Sequence, residues 1–379
     1  MTKCKKKKQQ TYLFDDLIFQ EIIARLPIKY ILRCMSVSKQ WYSTISSSAF
    51  ANAHLTKSPF AHPSAPVNTL FIRDNYRNKS YLFSYNDDDD DDDDDRVSGS
   101  FENNLVKLDF GKKQYLKITG CCNGLVCLTQ IFDNYFVLWN PATRKQKKYE
   151  SDRYLKRFDA QSRPYVRVSS GFGYASAVDD YKYVQILTLY WESVIIVHIF
   201  SLRENKWRKI DFGHDPLLIY KHVGLDNEKL YWTAKSSQLE NVVVSFDLGN
   251  GRFDIIKMNW VETDVLGVMG GRLSKCNYRG DKIMHILEPP SILKSICLPK
   301  GLCLDMFSEM VGFTKADKFF VTVPSSGHEN SACRTLGLVD TRRKPMQYTA
   351  LWRFNMTLEI ARYFPSVVSP FPMGEPSWA

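Results

Sequence analysis

VLWNPATRK, residues 137–145, decides how the larger part of this chain is read. It is an apolar run that ends in an aromatic, then a polar residue, then a turn carrying basic residues. The pattern returns at residues 198–207 (HIFSLRENKW), at 244–253 (VSFDLGNGRF) and, weakened, at 338–344 (LVDTRRK), with an early copy at 83–86 (FSYN). The aligned positions Tyr85, Trp139, Phe200, Phe246 and Val339 lie 54, 61, 46 and 93 residues apart. The last interval is about twice the one before it, which places one drifted unit near 283–287 and makes roughly six units in all. Each unit has an upstream partner strand, in most cases marked by glycine, at 122–126, 171–174, 230–232, 266–271 and 311–313. Short strands recurring every 45 residues or so (roughly) predict the blades of a β-propeller. A pair of packed β-sandwiches is the alternative architecture.

Ahead of the repeats, residues 13–45 (LFDDLIFQEIIARLPIKYILRCMSVSKQWYSTI) follow a helical period. Asp15 or Asp16 can cap a helix N-terminus. Phe19, Ile22, Ile23 and Leu26 then fall on one face, and Pro27 ends the helix. Ile28, Ile31, Leu32 and Met35 repeat the spacing. Val37, Trp41 and Ile45 step by four along a third helix, with Ser36 or Ser38 as its cap. Three helices this short cannot bury so much apolar surface among themselves. Either the module packs on the rest of the chain, or a leftover stripe meets a partner helix. The expected fold class is α+β. It comprises a basic tail (1–10), a three-helix module (11–50), a proline-containing linker (51–67) and a mainly-β domain (68–379).

Composition narrows the class. The 379 residues are 44% hydrophobic and 13% aromatic, ample for a packed core. No run of 18 apolar residues exists, so no membrane span is expected. The basic start MTKCKKKKQQ is not followed by a secretory apolar region, and nine cysteines lack a framework spacing. Both features predict an intracellular chain with reduced thiols, in the nucleus and/or the cytoplasm. Lys5 to Lys8 read equally as a nuclear signal or a solubilising tail. The net charge is +10, although nine of the 41 acidic residues form the single run 87–95. Adjacent like charges repel, so that run is expected to be a solvated loop insertion. The basic residues are spread along the chain, which argues against nucleic acid as the partner.

The sequence holds no catalytic constellation. HExxH, GxSxG and a phosphate-binding GxxxxGK[ST] are all absent. The seven histidines are scattered, and Cys121, Cys122 and Cys127 have no second half for a tetrahedral zinc site. Asp179 and Asp180 are expected to shape a loop rather than share a proton. Trp139, Trp207, Trp232 and Phe246 are expected in the core. The chain therefore reads as no enzyme and as needing no cofactor or metal.

DDLIFQEIIARLPIK followed by ILRCMSVSKQW resembles an F-box, the motif that binds a Skp-type adaptor in cullin-based ubiquitin ligases. It carries the Leu26-Pro27 pair and the VSKxW of Val37 to Trp41, but where the family opens with Leu-Pro, Leu13 precedes Phe14. GCCNGLVCL with VLWNPATRKQKK, GFGYASAVDDYKYVQI, VHIFSLRENKWRKI and the terminal FPSVVSP resemble the F-box-associated, kelch-like domain of plant F-box proteins, over roughly residues 68–370. The stretch 271–304 departs from that pattern. The resemblance implies a substrate receptor of a Skp–cullin–F-box ligase. Leu13, Leu17, Ile18, Ile22, Leu26, Pro27, Leu32, Val37 and Trp41 would dock the adaptor, and through it cullin and RING subunits. The β domain would hold a target protein whose identity and binding residues are unknown. A propeller-type module binding a small ligand or glycan, or hydrolysing it, is the rival.

Overall fold

The computed structural model describes residues 17–58, 69–74, 79–85, 105–108, 116–130, 135–152, 166–189 and, short loop segments apart, 194–372. Leu13, Asp15, Asp16, the basic tail and the acidic run lie outside these residues.

Six four-stranded antiparallel sheets form a six-bladed β-propeller. The first blade contains β1 (Thr69–Asp74), β2 (Lys79–Ser84) and β3 (Leu105–Leu108). The second runs through β4 (Lys117–Cys122), β5 (Leu125–Gln130), β6 (Tyr135–Asn140) and β7 (Lys145–Glu150). The third comprises β8 (Val166–Ala175), β9 (Asp180–Leu189), β10 (Val194–Ser201) and β11 (Lys206–Ile210). In the fourth are β12 (Leu218–Asp226), β13 (Lys229–Lys235), β14 (Asn241–Asp247) and β15 (Phe253–Ile256). The fifth holds β16 (Asp264–Met269), β17 (Arg272–Asn277), β18 (Ile283–Glu288) and β19 (Ser291–Cys297). The sixth holds β20 (Glu309–Phe313), β21 (Lys318–Pro324), β22 (Cys333–Asp340) and β23 (Gln347–Asn355). The last strand, β24 (Leu358–Arg362), returns to the first blade and pairs with β1, Leu70 opposite Arg362 and Asp74 opposite Leu358. β24, β4, β8, β12, β16 and β20 then pack side by side around the ring.

The repeated unit is the third strand of a blade and the turn after it. Trp139 is in β6, Phe200 in β10, Phe246 in β14 and Val339 in β22. The drifted copy near 283–287 is β18, so the doubled interval marks a real blade. The upstream segments, by contrast, are not one kind of strand. Residues 171–174, 266–269 and 311–313 lie in first strands, 230–232 in a second strand, and 122–126 span the turn between β4 and β5. Four of the five segments carry glycine, which serves both tight turns and the close approach of neighbouring blades; 230–232 does not. Trp139, Trp232 and Phe246 are buried as expected; Trp207 is only half-buried, its indole Nε1 donating to Glu150 O at 3.0 Å across to the second blade.

After β24 the chain runs without regular structure along the second blade. Asn140, fully buried, fixes this strap. Its Nδ2 donates to Ser366 O at 2.9 Å and Val368 O at 2.8 Å, while its Oδ1 accepts from the amides of Ala142 and Thr143 at 3.0 and 3.2 Å. Tyr149 Oη donates to Pro370 O at 2.6 Å. Gly124, at φ +80°, makes room beneath: a Cβ there would lie 2.2 Å from Ser366 Oγ. Asn140, in the one copy of the unit that carries Asn-Pro, is thus both a turn-former and a clamp on a segment more than 200 residues away, 226 to Ser366.

Asn140→Ala leaves two buried carbonyls and two amides without their partner, and is expected to cost about 3 kcal/mol of unfolding free energy. Urea denaturation followed by tryptophan fluorescence measures it; a loss below about 1 kcal/mol would show that the strap does not depend on this side chain.

Candidate functional site

The helical module is where the chain leaves apolar surface uncovered. Its first helix is irregular: a wide turn of π type over Ile18–Ile22 runs into a 3-10 turn over Ile23–Arg25. The predicted α-helical face is therefore split. Phe19 and Ile23 point inward, 3% and 6% exposed, whereas Ile22 is turned out to 57%. Leu26 takes extended geometry ahead of Pro27, as the residue before a proline must. Helix α1 (Ile28–Cys34) follows, then α2 (Lys39–Ile45), with Ser38 as its cap: the Trp41 amide donates to Ser38 Oγ at 3.1 Å. A fourth helix, α3 (Ser48–Lys57), occupies the first part of the stretch read as linker; Ser47 caps it by accepting from the Phe50 amide.

These elements close on an aromatic cluster. The Phe19 ring meets Trp41 edge-on at 5.0 Å and Phe50 at 6.3 Å. Ile31, Ile45, Phe50 and Ala51 extend the cluster, and it is continuous with Leu125, Phe136 and Phe200 of the propeller and Val367 and Val368 of the strap. The module is thus seated on the second and third blades. Asn52 Nδ2 on α3 approaches Asp179 Oδ1 at 3.5 Å, and Lys145 Nζ lies 5.8 Å from the centre of the Tyr42 ring. Asp179 and Asp180 do shape a turn. Asp179 takes a left-handed φ of 48° and accepts from Tyr174 Oη; Asp180 accepts from the Arg203 amide.

The sequence-predicted docking residues separate into two sets. Leu17, Ile22 and Val37 are 56%, 57% and 62% exposed, and Pro27 is exposed with them. Ile18, Leu26, Leu32 and Trp41 are half-buried and pack against the core beneath. Tyr30 and Tyr42, not picked out from the sequence, are also exposed. Five of the ten exposed large hydrophobics among the described residues fall between Leu17 and Tyr42, which marks this module as the place a partner would cover. Around the apolar groups runs a charged rim. Glu21 accepts from Lys57 at 2.7 Å and from Arg25 at 3.2 Å, and the Lys57 hydrogen bond holds its carboxyl below the usual carboxylate range.

His54 ties α3 to the first helix, its Nδ1 2.9 Å from Ala24 O. Burial pushes its pKa below 6.5 against the opposing pull of that carbonyl. Elsewhere the described residues offer little for chemistry. No group of three potential metal ligands comes together among them, and burial pushes the Cys122 thiol up to about 12, far from a reactive thiolate. No helix among them is long and apolar enough to cross a membrane.

Comparison with known proteins adds a family. The family model described as the F-box associated beta propeller domain matches residues 69–286, and that of the F-box domain matches 13–52. An F-box/kelch-repeat protein of Arabidopsis thaliana is 28% identical over 254 residues, 62% of this chain and 63% of its own length. An F-box protein of the same plant is 26% identical over 257 residues, 64% of this chain and 56% of its own. The chain thus spans under two thirds of the length of these relatives. Among solved structures, Porphyromonas gingivalis dipeptidyl peptidase 4 aligns with 75% of this chain and 44% of its own at 9% identity, with a TM-score of 0.38, a likeness too slight to bear on activity.

The pH response of the module follows from His54. Because its folded pKa lies below the unfolded value, both states are neutral above pH 6.5 and stability is complete there; as pH falls through 6.5 the unfolded chain binds the proton first and stability is lost. His54→Asn keeps a donor for Ala24 O without the titration. The expected outcome is a thermal midpoint that drops more steeply from pH 7 to pH 5 in the wild type than in the variant. Buried His198, shifted in the same direction, leaves a common residual slope in both. Parallel profiles would sink the assignment.

Proposed function

Because the chain belongs to the F-box-associated β-propeller family, we propose that it is a non-catalytic substrate-recognition subunit of a Skp–cullin–F-box ubiquitin ligase. The observation that carries this reading is the cluster of uncovered apolar side chains on the F-box, Leu17, Ile22 and Val37 foremost. A Skp-type adaptor covers them with an apolar helical surface of its own. Leu26, Leu32 and Trp41 support the docking face from below, and Leu13 belongs to the same set by its place in the motif. Cullin and RING subunits join through the adaptor, and the propeller holds a target protein for ubiquitination and degradation.

The mechanism is one of proximity. A receptor that tethers its target beside a ubiquitin-loaded enzyme raises the effective concentration of target lysines, and the bond-making belongs to the other subunits. Such a role asks for rigidity between the two ends. The continuous core through Phe50, Phe136 and Val367 supports it, since the module and the propeller share packed side chains rather than a free linker. The reading places the protein in the nucleus or the cytoplasm, where such ligases work.

A pull-down of the full chain on a Skp-type adaptor tests the proposal. Ile22→Asp/Val37→Asp is the informative variant. Both side chains are exposed, so folding stability should stay within about 0.5 kcal/mol of wild type, whereas Leu26 and Trp41 also hold the module together. Binding by the wild type and its loss, at least ten-fold, in the variant is the expected result. A folded wild type that does not retain the adaptor overturns the ligase reading.

A further inference from the structure

The basic residues are spread along the chain but not evenly around the ring. Each blade ends in an outer strand that pairs on one side only: β3, β7, β11, β15, β19 or β23. β7 (KQKKYE) carries Lys145, Lys147 and Lys148, and β11 (KWRKI) carries Lys206, Arg208 and Lys209. β3, β19 and β23 have one basic residue apiece, and β15 has none. The two basic edges belong to neighbouring blades. They meet at a seam where Trp207 of β11 donates to Glu150 O of β7 and the Tyr149 and Phe200 rings lie 5.0 Å apart.

Side chains alternate along a strand, so register decides where each charge points. Lys145 and Lys147 share the face of Tyr149, and Lys209 shares that of Trp207, so these three look towards the seam. Lys148 is on the other face of β7, 3.6 Å from the centre of the Tyr135 ring; Lys206 and Arg208 are on the other face of β11. Few acids oppose them. Glu204 holds Arg208 at 2.6 Å, Asp152 is 3.8 Å from His198, and Glu150 shares the face of Lys148. Lys148, Lys206 and Lys209 are exposed, with no carboxylate within ion-pair distance among the described residues. Lysines on an edge guard it against indiscriminate pairing. Guarding alone does not explain this placement: β19 is longer than β11 and exposes Ile292 at 55%, yet it carries one lysine.

We propose that the outer edge of β11, with β7 beside it, takes an extended acidic segment of the target protein as an added strand. The edge supplies main-chain N–H and C=O groups for pairing, and acidic side chains meet the cations on both faces. Main-chain pairing selects a polypeptide over a nucleic acid of equal charge, because phosphates offer acceptors to such an edge and no donors. β11 is the neighbour of the added strand because the strap already flanks β7: Lys147 Nζ lies 5.5 Å from the centre of the Phe371 ring, and Tyr149 Oη donates to Pro370 O. A charge-guarded edge of this kind rejects neutral and basic strands and admits an acidic one. Calling the occupant a target rests on the receptor reading. The docking itself does not, and its test contains no adaptor, so either can fail without the other.

The probe is a fluorescent peptide of alternating Glu and Thr, titrated with the full chain and read by anisotropy. Saturable binding is expected, and none with Gln in place of Glu. N-methylation of alternate peptide amides removes donors without altering charge and should weaken binding at least ten-fold. Lys206→Glu/Lys209→Glu should do the same, whereas Lys107→Glu/Lys294→Glu, an equal charge change at exposed sites on β3 and β19, should leave affinity within two-fold. No binding by the folded wild type, an undiminished affinity of the N-methylated peptide, or equal losses in the two variants each overturns the proposal. So does tighter binding of an oligothymidylate of the same charge, which would make the partner a nucleic acid. Binding that appears only when Asp87 to Asp95 are replaced by serine would make the chain's own acidic run the occupant and overturn it likewise. The peptide series on the wild-type chain decides the matter even where a variant does not fold.

Discussion

The pairing of β24 with β1 is the constraint from which the rest follows. A ring of separate blades is closed by backbone pairing only where its first and last segments share a sheet. This chain meets that condition by giving the first blade three strands from its beginning and one from its end. The five paired residues from Leu70↔Arg362 to Asp74↔Leu358 therefore fix the relation of blades one, two and six together. Arg362, half-buried at the end of the strand, lies over the Phe364 ring at 4.4 Å, and the desolvation of its guanidinium lowers its pKa to about 10. The chain accepts that cost at the point where closure turns into strap.

Closure in turn creates the seat of the F-box. The strap emerges beside the second blade because β24 delivers it there, and Asn140 holds it by its two carbonyls. Val367 and Val368 then fill the space between the F-box helices and the aromatic stack of Phe136, Tyr149 and Tyr183. Three sequence-distant segments thus complete one core, and no single one of them is a sufficient support for the others.

Much of this was legible in the sequence, and the legible part has a common physical origin. A third strand buried on both faces reads as an unbroken apolar run, and its turn needs polar and basic residues; β6, β10 and β14 carry that contrast openly. β18 was found through the doubled interval alone, because its own residues, Ile283-Met284-His285-Ile286-Leu287-Glu288, lack the aromatic. Of the misaligned partner segments, 122–126 carries Gly124 at a tight turn rather than in a first strand, and 230–232 has no glycine and is a second strand. The F-box was legible as a motif but not as a surface. Periodicity placed Ile22 with Phe19 on one face, and the wide turn separates them by widening the helix just there. The role of α3 was hidden because its apolar residues, Phe50, Ala51 and the neutral His54, are few and its flanks look like a linker.

The position of β24 also sets an order of events during synthesis. The ribosome releases the F-box first and the blades one after another, but the first blade stays a three-stranded sheet with the edge of β1 open until residues 358–362 emerge. For most of translation the nascent protein is an incomplete ring with an apolar strand, Leu70-Phe71-Ile72, at an unpaired inner edge. Such an edge invites pairing with other chains, so a cell making this protein has a window in which chaperone occupancy, rather than native stability, governs yield. Premature termination anywhere before β24 would yield not a shortened receptor but a ring held permanently open.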